Sequence, residues 1–396
     1  MDDILFAVWL AGKYKAGHTL PKRLISAFGG VEKIYSASKN DYIEKGFTVS
    51  EISPLLGKSL EYSEKVCEYC LNKRINILTS ESGEYPVGLH DLENPPVVLF
   101  CKGKLPKASS FPYIGIVGTR KMSGDGARSA HRLAYETVSG GGVVVSGIAR
   151  GIDAMAHTGA IDGDGKTVAV MGSGIDVQYP PENALLFDRI ENGAGAVVTE
   201  FFPGTQPMAD NFPKRNRLIA AMSQALTVVE APIGSGALIT AEIAKKLNRH
   251  VYAVPGSVAN SCAEGSNYML KTGALPMTEA YDALANFESA FPETVALEKM
   301  KSRSYKMPSN ISEFEPVTAE KMNPFSFGRY PEPIDRSDEL IGVSKEVYIK
   351  LMNTGTASAD ALVSDKLKLA DVLFTLTQLE MFGYVTVSAG GIYSIK

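Results

Sequence analysis

Six continuous apolar runs follow one another through the middle of the chain. They are YIGIVG (113–118), GVVVSG (142–147), KTVAVMG (166–172), GAVVTE (195–200), ALTVVEA (225–231) and HVYAVPG (250–256). Uninterrupted apolar runs are typical of strands that are buried on both faces of a parallel sheet. A small-residue turn and a helical stretch follow each run, and the runs begin about 25 to 30 residues apart. The pattern predicts an α/β protein with a Rossmann-like, doubly wound parallel sheet.

The segments around these runs predict two further parts. Residues 1–75 place apolar side chains at helical spacing and so predict a small helical module. A helix-hairpin-helix or sterile-alpha-motif type of fold suits this module, and so does a packing domain without a site. Residues 76–111 add a strand or two at one sheet edge, so the Rossmann-like domain is expected to span residues 76–287.

The last part of the chain predicts a linker and a third domain. Residues 288–338 lose the periodicity and collect proline, serine and mixed charges, as linkers do. Residues 339–396 then predict three helices, in VSKEVYIKLMN, SADALVS and LADVLFTLTQLEMFGYV, and a hairpin that turns at Gly390-Gly391. This is a winged-helix pattern. Its candidate recognition stretch, Leu369–Phe382, contains Asp371 and Glu380 but no cation, which favours protein contact or regulation over strong duplex binding.

Composition narrows the class of protein and of ligand. The chain has 396 residues and a formal net charge of −4, so a site for a polyanion has to be local. The acidic N-terminus and the lack of a long apolar stretch predict a cytoplasmic protein without membrane association. Cys67 and Cys70 form a single CxxC, which favours buried thiols over a zinc site.

Three strand-to-helix turns carry candidate anion-binding groups. Ligands of open parallel sheets bind at the carboxyl ends of the strands, where helix N-termini and arginine forks favour phosphate. The candidates are Arg120 and Ser123 in the first turn, Ser146 and Gly147 in the second, and Ser235 and Gly236 in the fifth. Each glycine alone is explained as well by backbone geometry. Three such turns on one sheet edge indicate a polyanionic ligand.

The segment FPKRNR carries the most specific signal. It places Phe212 beside three cations at the start of a predicted helix, and its polar residues are Lys214, Arg215, Asn216 and Arg217. Phosphate contacts next to a stacking ring are the means by which proteins hold single-stranded nucleic acid. A solvated charge run is the alternative interpretation. His157 lies on one helix face with Asp153 and is interpreted as a packed histidine.

Familiar catalytic and cofactor motifs are absent from the sequence. The run Gly165-Lys166-Thr167 is not a P-loop, because Ala160 stands where the first glycine is required. Val177 interrupts a dinucleotide fingerprint that begins at Gly172. The sequence has no nucleophile elbow or HExxH motif either. We therefore expect no catalytic constellation, cofactor or metal.

The ordered turns resemble the successive signatures of the DNA-processing protein A (DprA/Smf) family. The matching stretches are VGTR (117–120) with Ser123, SGIARGID (146–153), AVMGSG (169–174) with Tyr179-Pro180, FPKRNR (212–217), Glu230-Ala231 and AVPG (253–256). The resemblance covers residues 76–287, and the outer regions match more weakly. One departure is Asp125-Gly126, where the family usually has Tyr-Gly.

The resemblance implies a non-catalytic protein. Such a protein binds single-stranded DNA, forms a homodimer through the Rossmann-like domain and loads RecA recombinase in natural transformation or recombination. Carried over onto this sequence, the strand pocket consists of Arg120, Ser123, Ser146, Gly147, Phe212, Arg215, Asn216, Arg217, Ser235 and Gly236. Lys214 varies in the family and is included for its charge. The alternative is a nucleotide-binding phosphoribohydrolase-like enzyme that uses Glu200 or Glu230, although FPKRNR exceeds the need of a single phosphate.

Overall fold

A computed structural model describes residues 2–302, 305, 342–354, 356–364, 367–381, 384–388 and 392–395. The chain forms two compact units, Met1–Pro316 and Val317–Lys396. No helix in these described ranges is long and apolar enough to cross a membrane.

The first unit begins with a bundle of short helices. They are α1 (Asp2–Lys13), α2 (Leu20–Phe28), α3 (Val31–Ser36), α4 (Lys39–Glu44), α5 (Val49–Ile52) and α6 (Glu61–Asn72). Their apolar faces, with Trp9 and Leu24, share one buried cluster with Phe100 and Met171 of the sheet region. The helical module is therefore packed onto the sheet, and the boundary predicted at residue 75 does not separate two compact units.

A nine-stranded sheet forms the centre of this unit. Its strands are β1 (Asn76–Thr79), β2 (Val98–Gly103), β3 (Tyr113–Val117), β4 (Val143–Ser146), β5 (Lys166–Val170), β6 (Gly195–Thr199), β7 (Ala225–Val228), β8 (His250–Ala253) and β9 (Leu275–Pro276). Their order is β1-β2-β6-β5-β4-β3-β7-β8-β9. From β6 to β9 every pairing is parallel, whereas β1 and β2 add an antiparallel edge. The six apolar runs form β3 to β8, which confirms the predicted Rossmann-like fold.

Helices cover both faces of the sheet, which explains why its strands are apolar throughout. They are α7 (Gly124–Ser139), α8 (Ile152–Asp162), α9 (Ala184–Arg189), α10 (Asn211–Met222), α11 (Gly236–Lys246), α12 (Glu264–Lys271) and α13 (Tyr281–Leu284). One buried cluster contains side chains of α10 and α11, and another contains side chains of α7 and α8. The chain runs from β3 outward to β6 and returns to place β7 on the other side of β3. The carboxyl ends of β3 and β7 therefore flank the switch point of the sheet.

The structure differs from the prediction of a linker that begins at residue 288. Helix α14 (Leu297–Ser302) follows α13, and Val295 and Leu297 are buried in the same cluster as the side chains of α7. The Ala296 amide donates to the Gly140 carbonyl over 3.1 Å, and the Thr294 hydroxyl donates to the Ser110 carbonyl over 2.7 Å. A few isolated apolar anchors hold this segment, and they are too sparse to produce a periodic pattern. Residues 303, 304 and 306–338 of the predicted linker lie outside the described residues.

The described part of the second unit combines two helices with a small sheet. Helix α15 (Gly342–Thr354) and β10 (Thr356–Ser358) are followed by α16 (Leu369–Met381), β11 (Val385–Ser388) and β12 (Ile392–Ile395). Both outer strands pair antiparallel with β12. The helix predicted over SADALVS is wrong, because Ser358 pairs in β10 and only the short 3-10 turn Asp360–Leu362 follows. The Gly390-Gly391 turn and Phe382 lie outside the described residues, and the winged-helix assignment stays a prediction.

Candidate functional site

A small pocket opens where β3, β4 and β5 end. Its lining includes Arg120, Gly147, Ala149, Arg150, Gly172, Ser173, Tyr179, Pro180, Phe212 and Arg215. Four of the predicted site residues therefore meet here, from turns that are far apart in the chain. Sequence reasoning did not assign binding roles to Arg150 or to Tyr179-Pro180, although both stretches lie within the family signatures.

The ring of Phe212 is the centre of the pocket. The guanidinium carbon of Arg120 lies 4.8 Å from the ring centroid, and the Tyr179 ring lies 5.9 Å from it. A β-carbon on Gly172 would come within 3.1 Å of the Phe212 ring, so glycine lets the ring approach the end of β5. The free volume is about 20 Å³, roughly the space of one water molecule. Arg120 therefore lies on the ring face that a nucleobase would need.

Arg120 and Arg150 are the cations at the rim of this pocket. Arg120 is exposed, and its contact with the Phe212 ring is a cation–π interaction. Arg150 is half-buried and pairs with Glu182 over 2.6 Å. Because Glu182 neutralises much of the charge of Arg150, Arg120 is the stronger candidate for an incoming phosphate.

Arg215 lies beneath the pocket rather than at its rim. It is 4% exposed, and its Nη1 donates to the carbonyls of Gly147, over 2.5 Å, and Val170. Burial lowers the pKa of Arg215 to about 10, while the nearby Asp153 carboxylate acts in the opposite direction. A β-carbon on Gly147 would lie 2.6 Å from the guanidinium, so this position requires glycine. Arg215 thus fixes the turns after β4 and β5 and supports the pocket from inside.

The two serines of the first and second turns do not present free hydroxyls. Ser146 is fully buried and donates to the carbonyl of Ile116 over 2.6 Å. Ser123 is the N-cap of α7, and its hydroxyl donates to Glu230 Oε1 over 2.5 Å. Glu230 also accepts the Ser123 amide over 2.9 Å and the Asn260 side-chain amide over 2.9 Å. A carboxylate of the protein already occupies the N-terminus of α7, so the phosphate contact expected at Ser123 stays a prediction that this geometry does not support.

Arg217 is buried and paired inside the protein. Its guanidinium is bonded to Glu200, and its Nη1 donates to the carbonyl of Asn94 over 2.7 Å. Arg217 is 7% exposed and does not line the pocket, so its contact with DNA stays a prediction that this arrangement does not support. The reason is helix geometry: residues 212, 215 and 216 share one face of α10, and residue 217 lies on another.

The remaining candidates lie beside the pocket. Asn216 accepts from Nε of Arg215 over 3.1 Å and donates to the carbonyl of Gly236 over 3.4 Å. Ser235 is the N-cap of α11 and accepts the amide of Ala237 over 3.2 Å. Gly236 is exposed. These residues connect α10 to α11 at the edge of the site, and none of their side chains lines the pocket.

Lys214 faces a second cavity, between the N-terminal helices and the sheet. We call it the module groove; its lining includes Tyr14, Lys15, His18, Tyr62, Phe202 and Lys214. Its volume is about 520 Å³. The first turns of α10 contribute to both cavities, with Phe212 and Arg215 in the pocket and Asn211 and Lys214 in the groove.

Cys67, Cys70, Cys101 and Cys262 are free thiols. Burial raises the pKa of each of these thiols. Within the part of the chain that the structure describes, no three His, Cys, Asp or Glu side chains come together to hold a metal ion.

Comparison with known proteins identifies the family. The sequence model of DNA recombination-mediator protein A matches residues 76–288. Protein Smf of Synechocystis sp. is 32% identical over 395 residues, which cover 97% of each chain. The DNA processing protein DprA of Streptococcus pneumoniae is 41% identical over 204 residues, or 52% of this chain and 71% of that protein.

A solved structure agrees with these sequence matches. The X-ray structure of DprA from Streptococcus pneumoniae superposes with a TM-score of 0.62 at 30% identity, covering 72% of this chain and 98% of that one. The segment that the family model matches, residues 76–288, contains every strand from β1 to β9 and the whole of α10, which contributes to both cavities. This chain belongs to the DNA recombination-mediator protein A (DprA/Smf) family.

Proposed function

We propose that this protein binds single-stranded DNA in the pocket around Phe212 and delivers the strand to RecA recombinase. The observation that carries the proposal is the exposed guanidinium of Arg120 on the Phe212 ring, at the carboxyl edge of a parallel sheet. An aromatic face accepts any base, and an arginine fork accepts any phosphate, so the pair suits a strand of arbitrary sequence. The site is local, which fits the net charge of −4.

Binding would proceed by exchange on the Phe212 ring. Arg120 leaves the ring face, a base stacks in its place, and the guanidinium turns to the adjacent phosphate. The cation–π contact that is lost is worth about 0.5–1 kcal/mol at an exposed site. Stacking of a base on an aromatic ring contributes about 1–3 kcal/mol. The exchange is therefore favourable even before the phosphate contact is counted. Arg215 stays in place and keeps the rim at the right spacing.

The carboxylates of the alternative enzyme are engaged elsewhere. Glu230 accepts from Ser123 and Asn260, and Glu200 is buried in the ion pair with Arg217. Neither glutamate lines the pocket. A phosphoribohydrolase needs a carboxylate that can reach the ribose, so the geometry favours the non-catalytic function.

RecA loading and homodimer formation are proposals that come from the family resemblance. Strand β9 is an edge of the sheet, and Leu275 on it and Tyr268 on α12 are 49% and 55% exposed. Exposed apolar side chains at a sheet edge are compatible with a second copy of the chain there.

For the second unit we propose protein contact or regulation, because α16 carries acids and no cation.

A titration of labelled oligo-dT and of a matched duplex, followed by fluorescence anisotropy at two salt concentrations, tests the proposal. We expect salt-sensitive binding of the single strand that Arg120→Ala weakens. Arg189→Ala is the matched control, since Arg189 is exposed and pairs with Asp162 at the far end of α8. Absence of binding by folded wild type, or equal loss in both variants, would contradict a strand pocket at Arg120.

A further inference from the structure

The module groove is lined by two lysines, Lys15 and Lys214. Lys15 is exposed and Lys214 is half-buried. Among the described residues neither forms an ion pair or donates a side-chain hydrogen bond, whereas neighbouring Lys13 and Lys22 donate to backbone carbonyls. Lysines in a concave surface of this kind attract an anionic chain.

Aromatic side chains accompany these lysines. Tyr62 is 58% exposed, and its ring centroid lies 5.8 Å from that of Phe202. On the other wall the rings of Tyr14 and His18 lie 5.1 Å apart. Cations interleaved with accessible ring faces are the combination that holds single-stranded nucleic acid without regard to sequence.

The floor of the groove holds a buried ion pair and a network of hydrogen bonds. Glu200 lies there and pairs with Arg217, and the charge of the nearby Lys214 also acts on its carboxylate. Asn94 accepts from Arg217 and donates its side-chain amide to the carbonyl of Gly17 over 2.7 Å. This network connects the loop after α1 to α10 through Asn94. Asp210 is an exposed acid of the lining, against two lysines.

Helix α10 connects the groove to the pocket. Phe212 faces the pocket and Lys214, two positions later, faces the groove. A helix with its side chains is about 10–12 Å wide, so a strand that leaves Phe212 crosses no more than one helix width to reach Lys214. We propose that the module groove is a second subsite for single-stranded DNA, where Lys15 and Lys214 bind phosphates and Tyr62 stacks a base. This inference rests on the proposed function of the pocket.

The length dependence of binding separates the two subsites. Oligo-dT of about 5 nucleotides is short enough for the pocket alone, and oligo-dT of about 15 nucleotides reaches the groove. We expect the full-length protein to bind the long strand more tightly. Lys15→Gln/Tyr62→Ala should leave the short strand unaffected and weaken the long strand by about 10-fold to 100-fold. Lys15→Gln/Tyr62→Phe, which keeps a ring, should recover most of the stacking.

Lys73→Gln is the matched control for charge, because Lys73 is an exposed lysine at the end of α6. It should retain the gain in affinity with length. If Lys15→Gln/Tyr62→Ala also retains the full gain, the second subsite is refuted while the pocket stands. If wild type binds neither strand, the proposed function itself fails. The two failures are thus distinguishable.

Photo-crosslinking of long and short strands that carry 5-iodouracil gives an independent readout. Crosslinks should map to Tyr62 or Tyr14 with the long strand only, and to the Phe212 region with both. Crosslinks confined to the Phe212 region would overturn the inference, and would leave the groove to a partner other than DNA.

Discussion

Two arginines on opposite sides of α10 have opposite environments. Arg120, which reaches over Phe212 on one side, is exposed and has an aromatic ring as its contact. Arg217, on the other side, is 7% exposed and bonded to Glu200 and to the carbonyl of Asn94. The first guanidinium is available to a ligand, and the second is occupied by a buried carboxylate and a backbone carbonyl of the protein. The comparison shows that the sequence position of an arginine does not reveal whether its guanidinium faces solvent or a buried carboxylate.

Loss of Arg217 should have the largest effect on folding. Removing one partner of a buried ion pair leaves an uncompensated charge, which costs about 3–5 kcal/mol. We expect Arg217→Ala to lower the free energy of unfolding in urea by that amount, while Arg120→Ala changes it by less than about 0.5 kcal/mol. A double variant, Glu200→Gln/Arg217→Met, should recover part of the loss. Wild-type stability in Arg217→Ala together with lost DNA binding would reverse the assignment of the two arginines.

The buried His157 should make the protein less stable in acid. It is fully buried, its Nδ1 lies 2.7 Å from the Thr167 hydroxyl, and burial lowers its pKa from 6.5 to about 3. The folded protein holds the ring in its neutral form. The stability that this group contributes is therefore complete above pH 6.5 and is lost as the pH falls from 6.5 toward 3. Between pH 7.5 and 5 this amounts to about 2 kcal/mol.

Urea unfolding of wild type and His157→Gln at several pH values measures this effect. The variant should be less stable at neutral pH. Its free energy of unfolding should change less between pH 7.5 and 5, because it lacks the titrating ring. Parallel pH profiles of the two proteins would assign the acid sensitivity to other groups. DNA affinity should follow neither profile while the protein is folded, since His157 does not line the pocket.

The sheet could be predicted because its cause is local. Each strand from β3 to β8 is a continuous apolar run, and burial on both faces requires nothing else. The segment after α13 and the second unit were harder to predict, because their packing depends on residues that are distant in sequence. Residues 295–302 pack through a few isolated anchors such as Leu297, and Ser358 joins a strand because β12 lies next to it. Neither partner is visible from the segment itself.

The candidate site shows a similar division. Arg120, Gly147 and Phe212 could be located because they follow strands whose ends share one edge. The roles of Ser123 and Arg217 could not, since their partners, Glu230 and Glu200, are distant in sequence and approach only in the folded protein. A glutamate at the end of a buried strand was the available signal, because a buried carboxylate needs a partner.

Phe212 and Arg120 should be separable by their response to salt. Phe212→Ala removes the stacking face and should weaken oligo-dT binding by about 1–3 kcal/mol, with the salt dependence unchanged. Arg120→Ala removes one phosphate contact, so the slope of log affinity against log salt should fall by about 0.7. Anisotropy titrations at four salt concentrations give both numbers. Identical slopes in the two variants would mean that Arg120 acts on the ring alone.

The smallest expected effect concerns Asp125. This residue lies in the first turn of α7, shortly after Arg120 in the chain, at a position where the family usually has tyrosine. It is 83% exposed and pairs with Arg128. An exposed acid about 10 Å from a phosphate in water costs about 0.4 kcal/mol, so Asp125→Asn should raise affinity about twofold at low salt. Unfolding should become easier by less than about 1 kcal/mol, because the acid also favours the helix N-terminus. Asp125→Tyr sharpens the test: a gain well beyond that of Asp125→Asn would show that a ring here stacks on the strand, and equal gains would leave charge as the whole effect.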